Sequence, residues 1–460
     1  METKMTAEQS LHLGLPKAPV GKASLEHIPG DTGQLPILGD TVPFLKDYLT
    51  LVQKKAKQHG KLFRSNALLQ TTLAALGPEY NEIVLKNSDK AFSNKLAWDP
   101  LLDHLFPNGL MLRDFDEHKF HRKILQAAFK KESLIGYIDV MLPRLQQGVA
   151  DFPKDKVFGF KDEIKSLLLD VAAQVFMGVE MGADADKINK GFLHCMEASL
   201  AVVKLPIPGT MWYRGLQGRK TLVEFAESQI AEKRKVESAD FFSQFCHARD
   251  EDGNYLSDED VRDHIIFLLF AAHDTTTSTL CSMVYALAKN PEWQDILHEE
   301  YKALSKDAPD FNDLNTFDKT SLAFQEALRM YPPVPVIPRR VTKDIEMGGF
   351  KIPRNTAIGI SPLYTHYMEE YWTEPTKFDP DRFSPERAEH KKHFYQWLPF
   401  GGGSHKCLGL NFAEIQVKLF LFALLRDYRI EVKPGYNMKY NAVPISFPTD
   451  GLPIVLKKRD

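Results

Sequence analysis

Phe400-Gly401-Gly402-Gly403-Ser404-His405-Lys406-Cys407-Leu408-Gly409 is the stretch on which the reading of this chain turns. It follows the pattern FxxGxHxCxG, and Cys407 is the residue it asks to have explained. Residues 411–420 have helical apolar spacing, so Cys407 stands just ahead of a helix N-terminus, where free N–H groups and the dipole favour an anion. Three consecutive glycines open backbone dihedrals closed to other residues and let the chain lie close to a flat group, with N–H groups free to bond the sulfur. Phe400 is placed to shield that sulfur from water. Such surroundings suit a thiolate kept deprotonated, partly dry and protected from oxidation. The bland alternative is a glycine-rich turn around an inert, buried cysteine.

A thiolate presented this way suits haem iron, onto which it pushes electron density that favours O–O cleavage. His405, two residues before the cysteine, is then placed to donate to a haem propionate, and Lys406 faces away as a positive charge. Cys195, Cys246 and Cys281 lack these surroundings and read as small core hydrophobes. Four cysteines without paired spacing point to a reducing compartment.

A length of 460 residues would allow about three domains, yet no Gly/Ser linker, repeat or charge block offers a place to divide the chain. We therefore expect one domain over residues 31–460, preceded by a weakly structured tail over residues 1–30. Hydrophobic residues at 43% supply a sizeable core, and a net charge of -3 argues against nucleic acid as a partner. Residues 1–30 show neither a signal peptide nor an anchor. The most apolar segment by eye, residues 265–288, carries His273 and Asp274 at its centre, which a membrane would penalise. It reads as a buried helix of a soluble protein.

That helix has its own chemistry. Ser257 with Asp258, Glu259 and Asp260 marks its start, and no Gly or Pro interrupts it before Pro291, for a length of about 45 Å. Its middle reads Ala271-Ala272-His273-Asp274-Thr275-Thr276-Thr277. Ala271 and Ala272 leave room above a flat ring, and Thr275 can bond back to the carbonyl of residue 271, opening a groove. Asp274 beside Thr275 would make a proton relay, which oxygen activation in a dry site requires. Threonines and an Asp inside a helix also serve as satisfied core groups. Glu326 and Arg329 share a helix face just before Pro332-Pro333, and Arg382 offers a second guanidinium. Alone, an ExxR spacing arises about once by chance in such a chain and reads equally as a surface ion pair.

Taken in order, Ala271-Ala272-His273-Asp274-Thr275, Glu326-Ala327-Leu328-Arg329, Pro380-Asp381-Arg382-Phe383 and the 400–409 loop resemble the cytochrome P-450 superfamily, haem-thiolate monooxygenases. The resemblance runs from Pro29-Gly30 and Pro36-Ile37-Leu38-Gly39 to the strand-like 451–456 stretch. It implies a mainly α fold with small β-sheets, a long central helix over the haem and the cysteine loop beneath it. It implies haem b (iron protoporphyrin IX) with Cys407 as metal ligand and with Phe400, Gly401, Ala271 and Ala272 against the cofactor. Asp274 and Thr275 would be the catalytic acid-alcohol pair, and Glu326, Arg329 and Arg382 the structural triad. His118-Lys119-Phe120-His121-Arg122 matches the family's WxxxR helix with His for Trp, so His118 and Arg122 would reach a propionate, with Arg339 and His405 supplying the others. Ala272 replaces a frequent Gly and narrows the groove by a methyl group.

Apolar residues in the regions that would face the substrate are Trp98, Leu101, Phe106, Leu110, Met111, Phe267, Phe270, Val334, Val336, Ile337 and Phe447. Each reads equally as core packing; as a pocket they favour a lipophilic ligand. The 205–216 stretch and His273 resemble the branch of retinoic-acid hydroxylases, plant steroid-hormone oxidases and sterol demethylases, which implies an isoprenoid, retinoid, steroid or fatty-acid-like substrate. The family further implies dioxygen and, with no flavin or iron-sulfur signature here, a separate ferredoxin- or flavodoxin-type donor. Lys406, Arg122, Lys123, Lys130, Lys131, Lys391 and Lys392 could steer it. The expected protein is a cytoplasmic, soluble monomer without a transmembrane anchor, peripheral membrane contact being allowed. A peroxide-driven or rearranging haem-thiolate enzyme is the alternative, and a haem-binding sensor a more distant one.

Overall fold

A computed structural model describes residues 25–33, 38–179, 182–201 and 204–459. Pro36 and Ile37 of the expected proline-rich entry lie outside the described residues.

The axis of the structure is the helix Asp258–Lys289, 32 residues and roughly 48 Å long. Its start is the one the sequence announces: Ser257 Oγ accepts the N–H of Asp260 at 3.1 Å, and three acids occupy the first turn. From Thr276 to Leu287 every side chain is buried, because neighbouring helices, among them Phe160–Met177 and Asp318–Met330, pack on it from several sides. A helix covered all round needs no amphipathic stripe.

The helix that follows Cys407 runs Leu410–Leu425, longer at both ends than the spacing announces, and is almost wholly buried beyond Glu414. It corrects one expectation. The stretch Gly403–Leu425, not residues 265–288, is the apolar run of membrane-spanning length, with a mean hydropathy of 1.6, and 67% of that window is buried inside the domain. The long helix is diluted by its polar middle, whereas this one is spent entirely on the core.

Beside the helices lies a five-stranded sheet in the order Leu62–Ala67, Gln70–Ala75, Ala357–Ile360, Ile337–Val341, Phe92–Ser93. Its one parallel pairing, Leu73 opposite Ile358, joins the N-terminal hairpin to the C-terminal half; the others are antiparallel. The core on this sheet includes Leu25 and Ile28, at 0% and 1% exposure. The expected tail therefore gives way to the domain by residue 25: Gly30 pairs with Arg64, and buried Lys55 grips Asp31 and Asp40, each at 2.5 Å. Two apolar side chains just ahead of Pro29-Gly30 look like a linker until the sheet that covers them is seen.

Glu326 and its two arginines form a core network, not a surface pair. Arg329 donates Nε and Nη2 to the carboxylate at 2.7 and 2.9 Å, and Arg382 Nε reaches it at 3.0 Å, all three side chains being fully buried. The N–H of Asp379 adds a fourth donor at 2.9 Å. Arg329 continues to the carbonyl of His366 at 2.8 Å, and His366 Nε2 accepts the N–H of Leu398 at 2.9 Å. The network thus reaches the chain two residues before Phe400. Glu326→Gln strips the charge that compensates two buried guanidiniums and should lower unfolding stability by about 3–5 kcal/mol in urea denaturation; a loss below about 1 kcal/mol would show the carboxylate to be dispensable.

Candidate active site

The 400–409 loop owes its path to two of its three central glycines. Gly401 and Gly403 sit at φ +65° and +64°, in the left-handed region, while Gly402 is extended at -167°. A Cβ on Gly403 would lie 1.8 Å from the carbonyl oxygen of Leu85, so the helix Pro78–Lys86 and the loop touch backbone to backbone. The turn closes where Cys407 N–H donates to Phe400 O at 2.9 Å. Phe400 packs towards Phe324, its ring centre 6.2 Å away, on the helix that carries Glu326.

Cys407 alone among the free cysteines has open surface. Protein nonetheless surrounds its sulfur densely enough that burial pushes the thiol up from its ordinary value, opposed by the Gly409 N–H and the charges of Arg122 and Lys406. The residue thus has open surface while protein packs densely about it. Cys195 and Cys246 are closed off, their thiols raised to about 12 and about 11 by burial, and Cys281 is raised further still, as core cysteines should be.

Near Cys407 the basic residues expected from the sequence assemble. The His118 and His405 rings stack at 3.8 Å with 30° between planes. His118 is 2% exposed and Arg339 5%, and Arg122 is half-buried. Among the described residues neither Arg122 nor Arg339 has an ion pair, and the hydrogen bond Arg339 makes is to the carbonyl of Pro338 at 2.8 Å. Burial lowers Arg339 to about 10, a guanidinium short of a counter-charge. Burial together with the two arginines holds His118 at about 4, and burial with His118 and the arginines holds His405 at about 2. One acid, Asp114, approaches, with Oδ1 3.8 Å from His405 Nε2. It is already engaged by the N–H groups of Asn94 and Lys95 and the hydroxyl of Ser93. This surplus of donors near the Cys407 sulfur fits a flat dianion that binds a metal at its centre, which is what haem with two propionates is. Asp114 went unseen because an Asp before a helix reads as that helix's own cap, whereas it caps the preceding one.

On the long helix Thr275 Oγ1 donates to Ala271 O at 2.8 Å, as the sequence suggested. The pattern continues with Thr277 on His273, Thr279 on Thr275 and Ser282 on Ser278, a run of hydroxyls that competes for helix carbonyls. Asp274 adjoins Thr275 in the chain but turns to Lys165, 3.4 Å away on the helix Phe160–Met177. Its Oδ1 and both nitrogens of His273 have no hydrogen-bond partner among the described residues. Burial keeps His273 at about 4 despite Asp274 nearby. Lys165 carried no sequence signal, since a lysine on an amphipathic helix reads as solvated surface.

The candidate pocket residues divide. Phe106 is fully buried and tilts against Phe270 at 4.6 Å, and Phe267 lies 5.7 Å from Phe270. Trp98, Leu110 and Met111 pack partly buried on the same core. Leu101 does not join them: it is 42% exposed while Leu102 turns inward. Val336 packs with Tyr48, Val52 and Phe63 instead. Ile337 lies on the sheet and near the cysteine loop, its Cδ1 3.8 Å from where a Gly401 Cβ would be. Val334 and Phe447 are half-buried.

Comparison with known proteins agrees with this geometry. A family model described as Cytochrome P450 matches residues 29–452. Cytochrome P450 136 of Mycobacterium tuberculosis (strain ATCC 25618 / H37Rv) is 38% identical over 448 residues, covering 95% of this chain and 90% of that protein. Taxane 10-beta-hydroxylase of Taxus cuspidata is 28% identical over 462 residues, 95% of this chain and 91% of the relative. The solved structure of retinoic acid bound cyanobacterial CYP120A1 superposes with a TM-score of 0.83 at 26% identity, covering 94% of this chain and 99% of that one. The loop around Cys407, the long helix across it and these full-length likenesses agree: the chain belongs to the cytochrome P450 family, haem-dependent oxidoreductases that incorporate oxygen from dioxygen with electrons from a redox partner.

Proposed function

We propose that this P450 monooxygenase oxidises a lipophilic substrate of the isoprenoid, retinoid, steroid or fatty-acid class. The observation that carries the reading is the aromatic wall of Phe106, Phe267 and Phe270 on the long helix's approach to Ala271 and Thr275. It is supported by a taxane hydroxylase among the relatives and a retinoic-acid complex among the structural neighbours.

We assign the cofactor as haem b, with Cys407 as iron ligand, Arg122, Arg339, His118 and His405 as propionate partners, and Phe400, Gly401, Ala271 and Ala272 against the ring. Bound there, haem supplies dioxygen binding and O–O cleavage. The protein's own part is positional and electrostatic. The Gly409 N–H and the charges of Arg122 and Lys406 favour the anionic sulfur against its burial. The Thr275 hydroxyl, tied to the Ala271 carbonyl, presents its oxygen to the groove, where it can pass a proton. Asp274, held 3.4 Å from Lys165, is the carboxylate that reloads it.

The electron donor on this reading is an acidic ferredoxin- or flavodoxin-type protein. Of the basic residues considered for it, Lys123 pairs with Glu251, Lys392 donates to Tyr371 O, Lys131 lies over the Phe311 ring and Arg122 turns inward. Exposed Lys406, Lys130 and Lys391 are left to steer it. The monomer works in the cytoplasm.

The reduced, carbon monoxide-bound protein should show the red-shifted Soret band of thiolate ligation, and Cys407→Ala should lose it; a band at the position of imidazole-ligated haem in the native protein would refute the ligand assignment. Thr275→Ala should cut product formed per electron consumed by about tenfold or more, with peroxide released instead. Unchanged coupling would mean that protons enter by another route. Titrating retinoids, diterpenes, steroids and fatty acids should give a low- to high-spin shift with at least one class, and silence from all four would remove the substrate assignment.

A further inference from the structure

One buried carboxylate apart from the haem site holds three elements together. Asp263, on the long helix and 1% exposed, accepts Arg219 Nη2 at 3.1 Å, Arg262 Nε at 3.0 Å and Asn108 Nδ2 at 3.0 Å. Arg219 comes from the helix Met211–Lys233, and its Nη1 also donates to Leu105 O at 2.9 Å. Leu105 and Asn108 belong to the connection between the helices Lys95–Leu102 and Phe115–Leu125.

That connection is fastened mainly from outside itself. It contains one 3₁₀ turn, Leu110–Leu112, and no strand. Asn108 stands at φ +58°, and Gly109 follows so close to the long helix that a Cβ would lie 2.3 Å from the Phe267 ring. Arg113 secures the far end, donating to Asn108 O at 2.8 Å and Asp260 Oδ1 at 2.6 Å. Its Nη1 also meets His121 Nε2 at 2.6 Å; arginine only donates, so His121 accepts there and gives its Nδ1–H to His264 Nε2 at 3.0 Å. The segment's own Phe106 is buried inward against Phe270 on the long helix. Core packing alone would not call for a buried Asp with two guanidiniums, and such groups are seldom kept for stability.

We propose that Asp263 is a latch, a positioning residue that keeps residues 105–113 closed over the pocket, and that its release sets how fast lipophilic ligands enter and leave. The proposal rests on reading Phe106 and Phe270 as pocket wall. A latch held by a charged hydrogen-bond cluster opens rarely, and weakening it by the worth of one such bond raises the open population about tenfold.

The test uses the haem-loaded enzyme and phenylimidazole, an iron-ligating probe whose arrival is read from the Soret shift in stopped flow, independent of the true substrate. Asp263→Asn should raise the association and dissociation rates each about tenfold with little change in their ratio. Asn108→Ala, which removes one arm and leaves the buried charge cluster intact, should raise both about threefold, and this variant decides the matter should Asp263→Asn fail to load haem. In ligand-free protein, amide hydrogen exchange over residues 103–112 should quicken in step. Unchanged probe kinetics in Asn108→Ala, or unchanged exchange over that segment, overturns the latch. A failed substrate screen with altered probe kinetics would instead sink the substrate class and leave the latch standing.

Discussion

Everything at the centre of this molecule depends on one tight contact, the cysteine loop laid backbone to backbone against Leu85. Two residues at positive φ and a closing bond from Cys407 N–H to Phe400 O leave the sulfur one place to be. Around that constraint the fold adds support from far along the chain. Glu326 gathers Arg329, Arg382 and the Asp379 N–H, and His366 hands the same network to Leu398 at the loop's entrance. Buried charge here serves placement, since an apolar cluster of equal volume could stabilise as well but could not direct so many bonds.

The electrostatics of the two sides proposed to face the haem are opposite in kind. On the side proposed for the propionates Arg122, Arg339, His118 and His405 converge with Asp114 as the nearby acid. On the long helix the groups are poised singly: a threonine committed to a carbonyl, an aspartate turned towards a lysine, a histidine with both nitrogens unpartnered. The first arrangement is a rigid clamp. The second leaves polar atoms unspent, as the proposed proton route would need.

How much of this was legible in the chain followed from how local each signal is. The helix Asp258–Lys289 announced itself by a Ser cap, three acids and thirty residues without Gly or Pro, and the 400–409 loop by its fixed spacing. Thr275 on the carbonyl of residue 271 is a consequence of helix geometry alone and was read correctly. Contacts between distant segments were legible only where the family resemblance carried them, as for Arg382 on Glu326. Lys165 on Asp274, Asp114 beside His405 and His366 beneath Leu398 each join residues whose own surroundings look ordinary. Leu25 and Ile28 were misplaced for the same reason, since the sheet that buries them is built largely from the other end of the chain. Among the apolar candidates Phe267 and Phe270 share a cluster on the long helix, whereas on the short helix Lys95–Leu102 it is Leu102, not Leu101, that turns inward.

The unpaired guanidiniums of Arg122 and Arg339 have a consequence for the life of the polypeptide itself. Arg339 is buried and Arg122 half-buried without a matching acid, beside imidazoles held neutral, so on the proposed assignment the two guanidiniums stay short of hydration and counter-charge until a dianion enters. The haem is then a counter-ion as well as a reagent, and its binding energy counts directly towards folding. Abundance of the enzyme becomes tied to cofactor supply, with chains made in excess of haem left as the fraction that unfolds and is cleared.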